Sequence, residues 1–344
     1  MKRMSWCLSF LCLSVVAFSQ NDDKAREERL KALMVIEDKE GWSNSGAIGF
    51  DLGQLLTINP YVGGGSDRIG VGGAVGFYAK YKRSLLSIKN SLLLNLATQR
   101  IGSGKLALNS DESVPFEKAL DLLNMGSNVS YQLKEGSKWA YSFDFDLRTQ
   151  LLPSYLDQES KKIYLKDVQV APYNTSLVSK IFSPALISIA PGIKWTPDSH
   201  WNLFLSPVAG QIIIIGDQRI ANLGVHGTKL KDGSTTEYKM SKFGLGTLAK
   251  VGYTTIIVEK LNFTSDLGLF ADYLDQPQNI DITWINSLGY EIFKGFNILL
   301  RADLYYDDNK MVNISDVNSV GGISGTGRRP SIIEQLLITY NRKF

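Results

Sequence analysis

An all-β, transmembrane, antiparallel up-and-down β-barrel of about twelve strands, with a short N-terminal helical leader, is the fold that this sequence predicts. Three patterns carry the expectation. Apolar and polar residues alternate with period two over long runs, which places them on opposite faces of a strand. The connections between runs are short and long by turns, as in barrels with short periplasmic turns and longer external loops. Beyond the N-terminus, no stretch approaches the roughly 18 consecutive apolar residues of a membrane-crossing helix.

Residues 1–19 read as a signal peptide. Lys2 and Arg3 form a basic start, Trp6 to Val16 an apolar centre, and Ala17-Phe18-Ser19 a small-x-small cleavage site before Gln20. Cys7 and Cys12, the chain's 2 cysteines, both lie inside this segment, so the mature chain has no disulfide and no cysteine metal site. Neither is preceded by the small residue that lipid anchoring requires. Residues 20–41 alternate in charge around Ala25, Leu30, Leu33 and Val35, and read either as a short solvated helix or as a disordered leader on the periplasmic side.

The barrel is expected over residues 42–344. Its clearest strand is Ser137 to Leu151, where Trp139, Tyr141, Phe143, Phe145 and Leu147 alternate with Ala140, Ser142, Asp144, Asp146 and Arg148. Leu261 to Tyr273 follows the same rule with Phe270 as its exception, and Ile280 to Ile292 and Phe296 to Tyr306 repeat it. Eight further strands are expected at Ala47 to Leu56, Ile69 to Tyr81, Ser84 to Thr98, Leu123 to Leu133, Leu186 to Trp195, Trp201 to Ile215, Phe243 to Val258 and Ile332 to Phe344. Twelve is an even number, and runs of this length match the roughly 9–11 residues of a tilted bilayer-crossing strand.

Connection lengths then orient the barrel. Short links fall at Lys82-Arg83, Lys134 to Gly136, Thr196 to His200, Glu259-Lys260 and Phe293 to Gly295, and they alternate strictly with longer ones. This predicts both termini in the periplasm of a Gram-negative bacterium. Trp139, Trp195, Trp201, Tyr253, Tyr273, Tyr290 and Tyr340 fall near strand ends, where interfacial aromatic girdles sit. Tyr340 and Phe344, on one face of the last strand, resemble the terminal motif that the barrel-assembly machinery recognises, although Arg342 departs from its usual apolar residue.

Charge supplies the site expectation. A cation facing lipid at the bilayer midplane is unfavourable by about 2–4 kcal/mol, so charges on the polar strand faces must point into the lumen. The candidates are Lys89, Asp144, Asp146, Arg148, Lys194, Lys250, Asp266, Asp272, Glu291, Arg301 and Asp303. They read either as a solute path selected by charge or as salt bridges that fill a narrow barrel.

The remaining features exclude more than they assign. Net charge is +3, and the leader's Lys2 and Arg3 account for part of it; scattered cations of this kind do not form a nucleic-acid-binding stripe. With 2 histidines, His200 and His226, no histidine-centred metal site is expected and no cofactor is called for. Asn222, His226 and Ser234 could be assembled on paper into a hydrolase set, but His226 reads better as a solvated loop residue. Gly322 to Arg329 reads as a flexible external loop whose Arg328 and Arg329 meet lipopolysaccharide phosphates. The chain is therefore expected to carry a solute or lipid at the envelope, with a non-transporting anchor for an envelope partner protein as the alternative.

Several segments also resemble one family. Trp42 and the Gly-rich strand after it, Asn59-Pro60-Tyr61-Val62-Gly63-Gly64, Phe116-Glu117-Lys118 through Asp121, Trp139-Ala140-Tyr141-Ser142, Arg148-Thr149-Gln150, Phe182-Ser183-Pro184-Ala185, Ser206 to Gly210, Phe270 to Tyr273 and Tyr305 to Asp308 are similar to the Bacteroidota outer-membrane family filed as domain of unknown function 3078. Tyr61 stands where that family usually has Trp. The resemblance runs over nearly the whole mature chain and implies an outer-membrane barrel with no assigned activity.

Overall fold

The computed structural model describes residues 39–58, 68–101, 117–157, 163–165, 175–224, 226–274, 276–307, 312–315 and 323–343. The expected signal peptide, residues 20–38 of the expected leader and Phe344 lie outside them, while Gly41, the leader's expected last residue, opens the first strand. Twelve long strands make one closed sheet: β1 (Gly41–Ile58), β2 (Arg68–Arg83), β3 (Leu86–Ile101), β4 (Glu117–Gln132), β5 (Trp139–Thr149), β6 (Ala185–Trp195), β7 (Trp201–Ile214), β8 (Ser241–Val258), β9 (Leu261–Asp272), β10 (Asp281–Phe293), β11 (Phe296–Tyr306) and β12 (Ser331–Lys343). Every neighbour is antiparallel and consecutive, and β12 closes on β1 from Ala47↔Lys343 to Ile58↔Ile332. Closure leaves no open sheet edge, the condition for strands to exist in hydrocarbon.

The alternation of the sequence becomes the two faces of this wall. Trp42, Phe77, Leu92, Met125, Tyr141, Phe143, Ile193, Leu205, Trp284, Leu300 and Leu336 are exposed large apolar residues, while Ser43, Ser45, Ala74, Asn95, Ser142, Ala190 and Phe204 of the other parity are buried. In a water-soluble protein that would be an inside-out core; around a closed barrel it is a lipid-facing belt. Aromatics gather at the short-turn rim. There Trp42 packs on Tyr81 with centroids 5.2 Å apart, Trp139 stacks on Trp195 at 5.5 Å, Trp201 meets Tyr253 at 4.7 Å and Phe293 stacks on Phe296 at 4.8 Å.

Phe270, which broke the period-two pattern, faces inward. With Leu248 it packs on buried Ala190, Phe204 and Ala209, forming an apolar ridge inside the β6–β9 wall. On the nearly opposite wall Ala47, Ala74, Leu93 and Tyr78 form another. The lumen is therefore amphipathic rather than uniformly polar.

The long connections hold structure that the sequence reading missed. After β5, the segments Ser154–Asp157, Ile163–Leu165 and Thr175–Ser179 pair as a small three-stranded sheet. After β7 comes a one-turn helix, Gln218–Ala221, whose Ile220 and Ala221 bury with Ile215 against Leu177, Ile213, Leu223 and Tyr238. Because Leu177 belongs to the first insertion and Ile215 to the second, the two pack as one cap over part of the long-loop rim. Gly224, at φ +70°, is needed there: a Cβ would come within 2.6 Å of the Tyr238 ring. After β11, Ile323–Gly327 pairs with Val312–Ser315, so the glycine-rich stretch expected as a flexible loop is in part a hairpin strand.

Candidate functional site

All eleven charges expected in the lumen lie on strand faces opposite the exposed apolar belt, but they fall into separate groups. The group on β5 to β8 is built by register. Lys194 stands opposite Phe204, and Phe204 opposite Lys250, so one inward ring sits between two lysines. The Lys250 ammonium lies 5.7 Å from the Phe204 centroid and then reaches Asp144 of β5 at 3.6 Å. It can cross the two intervening strands because β6 offers only Ala190 and Gly192 beside Asp144 and Ser142. On β5 itself, Arg148 Nε donates to Asp146 Oδ1 at 2.9 Å. Asn128 of β4 donates to Asp144 and, at 2.8 Å, to Ser142, which fixes the carboxylate from the other side.

These groups are wet. The side chains of Asp144, Asp146, Arg148 and Lys250 keep 25%, 33%, 23% and 51% of their accessible surface. The second group is dry: Arg301 Nε meets Asp303 Oδ1 at 2.6 Å with both side chains fully buried, and the Tyr305 hydroxyl donates to Asp303 Oδ2 at 3.1 Å. One wall of the lumen is thus solvated and charged, while the β11 wall is sealed by a buried ion pair.

Four candidates remain. Lys89 pairs in register with Lys80 and with Asn128 near the short-turn rim. Asp266 lies under Gly252, Asp272 closes the end of β9 by accepting the Leu274 N–H at 2.9 Å, and Glu291 accepts the Gly295 N–H at 3.0 Å in a short turn. Sequence reasoning missed Phe204 and Phe270, which shape the solvated wall, and Lys80, which shares the lumen face with Lys89. Their signal was present, since Lys80 keeps the parity of Tyr78, but aromatic residues on a polar face look like exceptions until the register is known.

A further polar cluster anchors the cap. The Lys118 ammonium meets Asp121 Oδ2 at 2.7 Å and donates to Ser154 Oγ, while the Asp121 carboxylate accepts the N–H groups of Leu151 at 3.0 Å and Leu152 at 2.8 Å. Farther along, Asp217 caps the short helix, accepts from Lys180 at 2.7 Å and pairs with Arg219 at 2.8 Å. The Arg219 and Lys180 hydrogen bonds hold its carboxyl well below the usual carboxylate range.

The hydrolase set does not assemble. Asn222 Oδ1 accepts from Gln218 and from the Tyr238 N–H, and Ser234 Oγ accepts the N–H groups of Thr236 and Glu237. Among the described residues no hydrogen bond joins either of them to His226. The reading of His226 as a solvated residue is also corrected: it is 8% exposed, and burial pushes its imidazole down to about 4. The cap that buries it was invisible in the sequence because its strands are only three to five residues long.

Comparison with known proteins bears on the first half of this wall. Residues 54–155 match the model of a family described as a protein of unknown function, DUF3078. The match takes in the end of β1, all of β2 to β5 and the start of the cap, and so includes Lys89, Asp121, Asp144, Asp146 and Arg148. It is narrower than the nearly chain-long resemblance read from the sequence. Among curated proteins no sequence matches. Among solved structures the chain is similar to an outer membrane channel from Pseudomonas putida F1, at 10% identity, with 90% of this chain and 97% of that one covered and a TM-score of 0.42. It is similar to the translocator domain of the autotransporter NalP from Neisseria meningitidis at 11% identity, covering 92% and 95%, with a TM-score of 0.41. For the outer membrane channel DcaP of Acinetobacter baumannii the figures are 8%, 88%, 97% and 0.35.

Proposed function

We propose that this protein sits in a bacterial outer membrane, short-turn rim toward the periplasm, and that its lumen passes or holds a small polar or amphipathic solute along the β5–β8 wall. The observation that carries the reading is the contrast between the two charged groups. A lumen meant only to be filled would bury its ion pairs, as Arg301 and Asp303 are buried; the Asp144–Lys250 pair instead lies half-open to water beside the Phe204 and Phe270 ridge. Fixed charges along a water-filled lumen select solutes by sign, and an aromatic ridge beside them favours molecules with an apolar part.

The test is conductance of the purified full chain in planar bilayers. Discrete conductance steps, altered in ion preference by Lys250→Ala, are expected. A heat-modifiable, folded barrel that conducts nothing and is not relieved by loosening the cap would sink the transport reading. Orientation is checked separately by proteolysis of intact cells, which should cut within the 158–174 connection and spare the five short turns.

A further inference from the structure

The outer wall breaks its own rule on β1 to β4. Asn44, Ala79, Asn90 and Ser127 stand opposite one another in register, and their parity is that of Trp42, Phe77, Leu92 and Met125, which form the lipid-facing belt. Three polar side chains therefore face hydrocarbon in one row. Ser127 Oγ donates to Asn90 Oδ1 at 2.9 Å, and among the described residues neither the Asn90 amide nitrogen nor the Asn44 carboxamide has another hydrogen bond. In lipid, where no water replaces the missing partner, such donors are strongly unfavourable unless something supplies an acceptor.

The row is also recessed. Gly46 and Ala79 give the outer surface no bulk, so a cavity of about 830 Å³ opens there, floored by the backbone of Ser45, Tyr78 and Ser91 and walled by Phe77, Leu92 and Phe145. Its depth is set by the strands. Asn90 lies four residues from the start of β3, roughly 10 Å inside the short-turn rim at about 3.3 Å per residue and a tilt of about 40°. Just below it is the Trp42–Tyr81 pair of the interfacial girdle. Amide donors at that level meet the glycerol ester region of a leaflet, and the apolar residues above them continue toward mid-membrane.

We propose that this recess seats one glycerophospholipid of the leaflet at the short-turn rim, its ester carbonyls accepting from Asn44 and Asn90 and its acyl chains lying along Phe77, Leu92 and Met125. The inference is independent of what crosses the lumen. It also gives the polar row a purpose that barrel stability does not, since leucine at these positions would suit bare hydrocarbon better.

Native mass spectrometry of the full-length protein with added dioleoyl phosphatidylethanolamine tests it. Wild type should retain one lipid through detergent stripping. Retention should fall at least about fivefold in Asn44→Leu/Asn90→Leu, the equivalent of losing one ordinary hydrogen bond, and likewise in Ala79→Phe, which fills the recess and leaves both carboxamides in place. Asn286→Leu, an outward polar residue on another wall, should behave as wild type. Heat-modifiable mobility verifies that each variant folds, and the same lipid should raise the melting temperature of wild type alone. Equal retention by wild type and both recess variants, or no stoichiometric adduct on wild type, would overturn the proposal, as would retention of lipopolysaccharide in preference to phospholipid.

Discussion

Asp144 of β5 and Lys250 of β8 meet at 3.6 Å although two strands separate them. The reach is set by small residues on β6 and by the Phe204 ring that carries the lysine stem. Removing Lys250 leaves Asp144 and Asp146 facing the water with Arg148 and the half-buried Lys194 as their nearby cations. A unit charge at about 4 Å contributes about 1 kcal/mol even in bulk water, favouring the counter-ion and disfavouring the co-ion by roughly fivefold each. Lys250→Ala is therefore expected to shift the reversal potential toward cations and Asp144→Ala toward anions. Both shifts should shrink as salt rises from 0.1 to 1 M, because the screening length falls from about 10 to 3 Å. Opposite signs in the two variants are the outcome to look for; shifts of the same sign would mean that the pair does not line the ion path.

Arg301 and Asp303 behave differently because neither touches water. Asp303→Ala leaves a guanidinium buried without its carboxylate and also strips the Tyr305 hydroxyl of its acceptor, so a loss of about 3–5 kcal/mol is expected. Replacing the pair together by Met and Leu should recover most of it. Urea unfolding in detergent, followed by the unboiled mobility shift, measures both, and ion preference should not change in either.

Asp121 joins a barrel strand to the cap through two backbone N–H groups and Lys118. Asp121→Ala should release the start of the 150–184 connection without opening the sheet. Limited proteolysis should then cut that connection at least about tenfold faster, about the effect of losing one charge-assisted bond, while the barrel fragment keeps its heat-modifiable mobility.

Twelve strands were legible because each must show hydrocarbon one face and the lumen the other, and that constraint writes period two over many residues. It failed where the constraint lapses. β4 begins at Glu117, six residues before the expected Leu123, because a register shift at Ala97/Thr98 disturbs the alternation at Lys118 and Asp121. β1 begins at Gly41 instead of Ala47 because Ser43 and Ser45 face the lumen while Asn44 and Gly46 face the recessed outer wall, so neither face reads as apolar. The lumen charges could be named from the strand faces alone, but which of them meet depends on register and on residues such as Ala190 and Gly192. The cap left no trace, since its order comes from packing between two insertions distant in sequence.

That cap should respond to acid, and the direction follows from His226. Its imidazole is held neutral by burial, with its folded value near 4 against about 6.5 when exposed. The unfolded cap therefore binds the proton first. Its stability is complete above about pH 6.5, declines as pH falls toward 4 and has no further histidine contribution below that; at pH 5 the loss is about 2 kcal/mol. Asp217 adds nothing in this window, because a depressed carboxyl retains its contribution above its ordinary value of 3.8 and loses it only below. Hydrogen exchange of residues 215–240 should speed up between pH 7 and pH 5 after correction for intrinsic rates, with the barrel strands unchanged. His226→Leu should flatten that dependence while keeping the pH 7 protection; an equally steep profile in the variant would remove His226 as its cause.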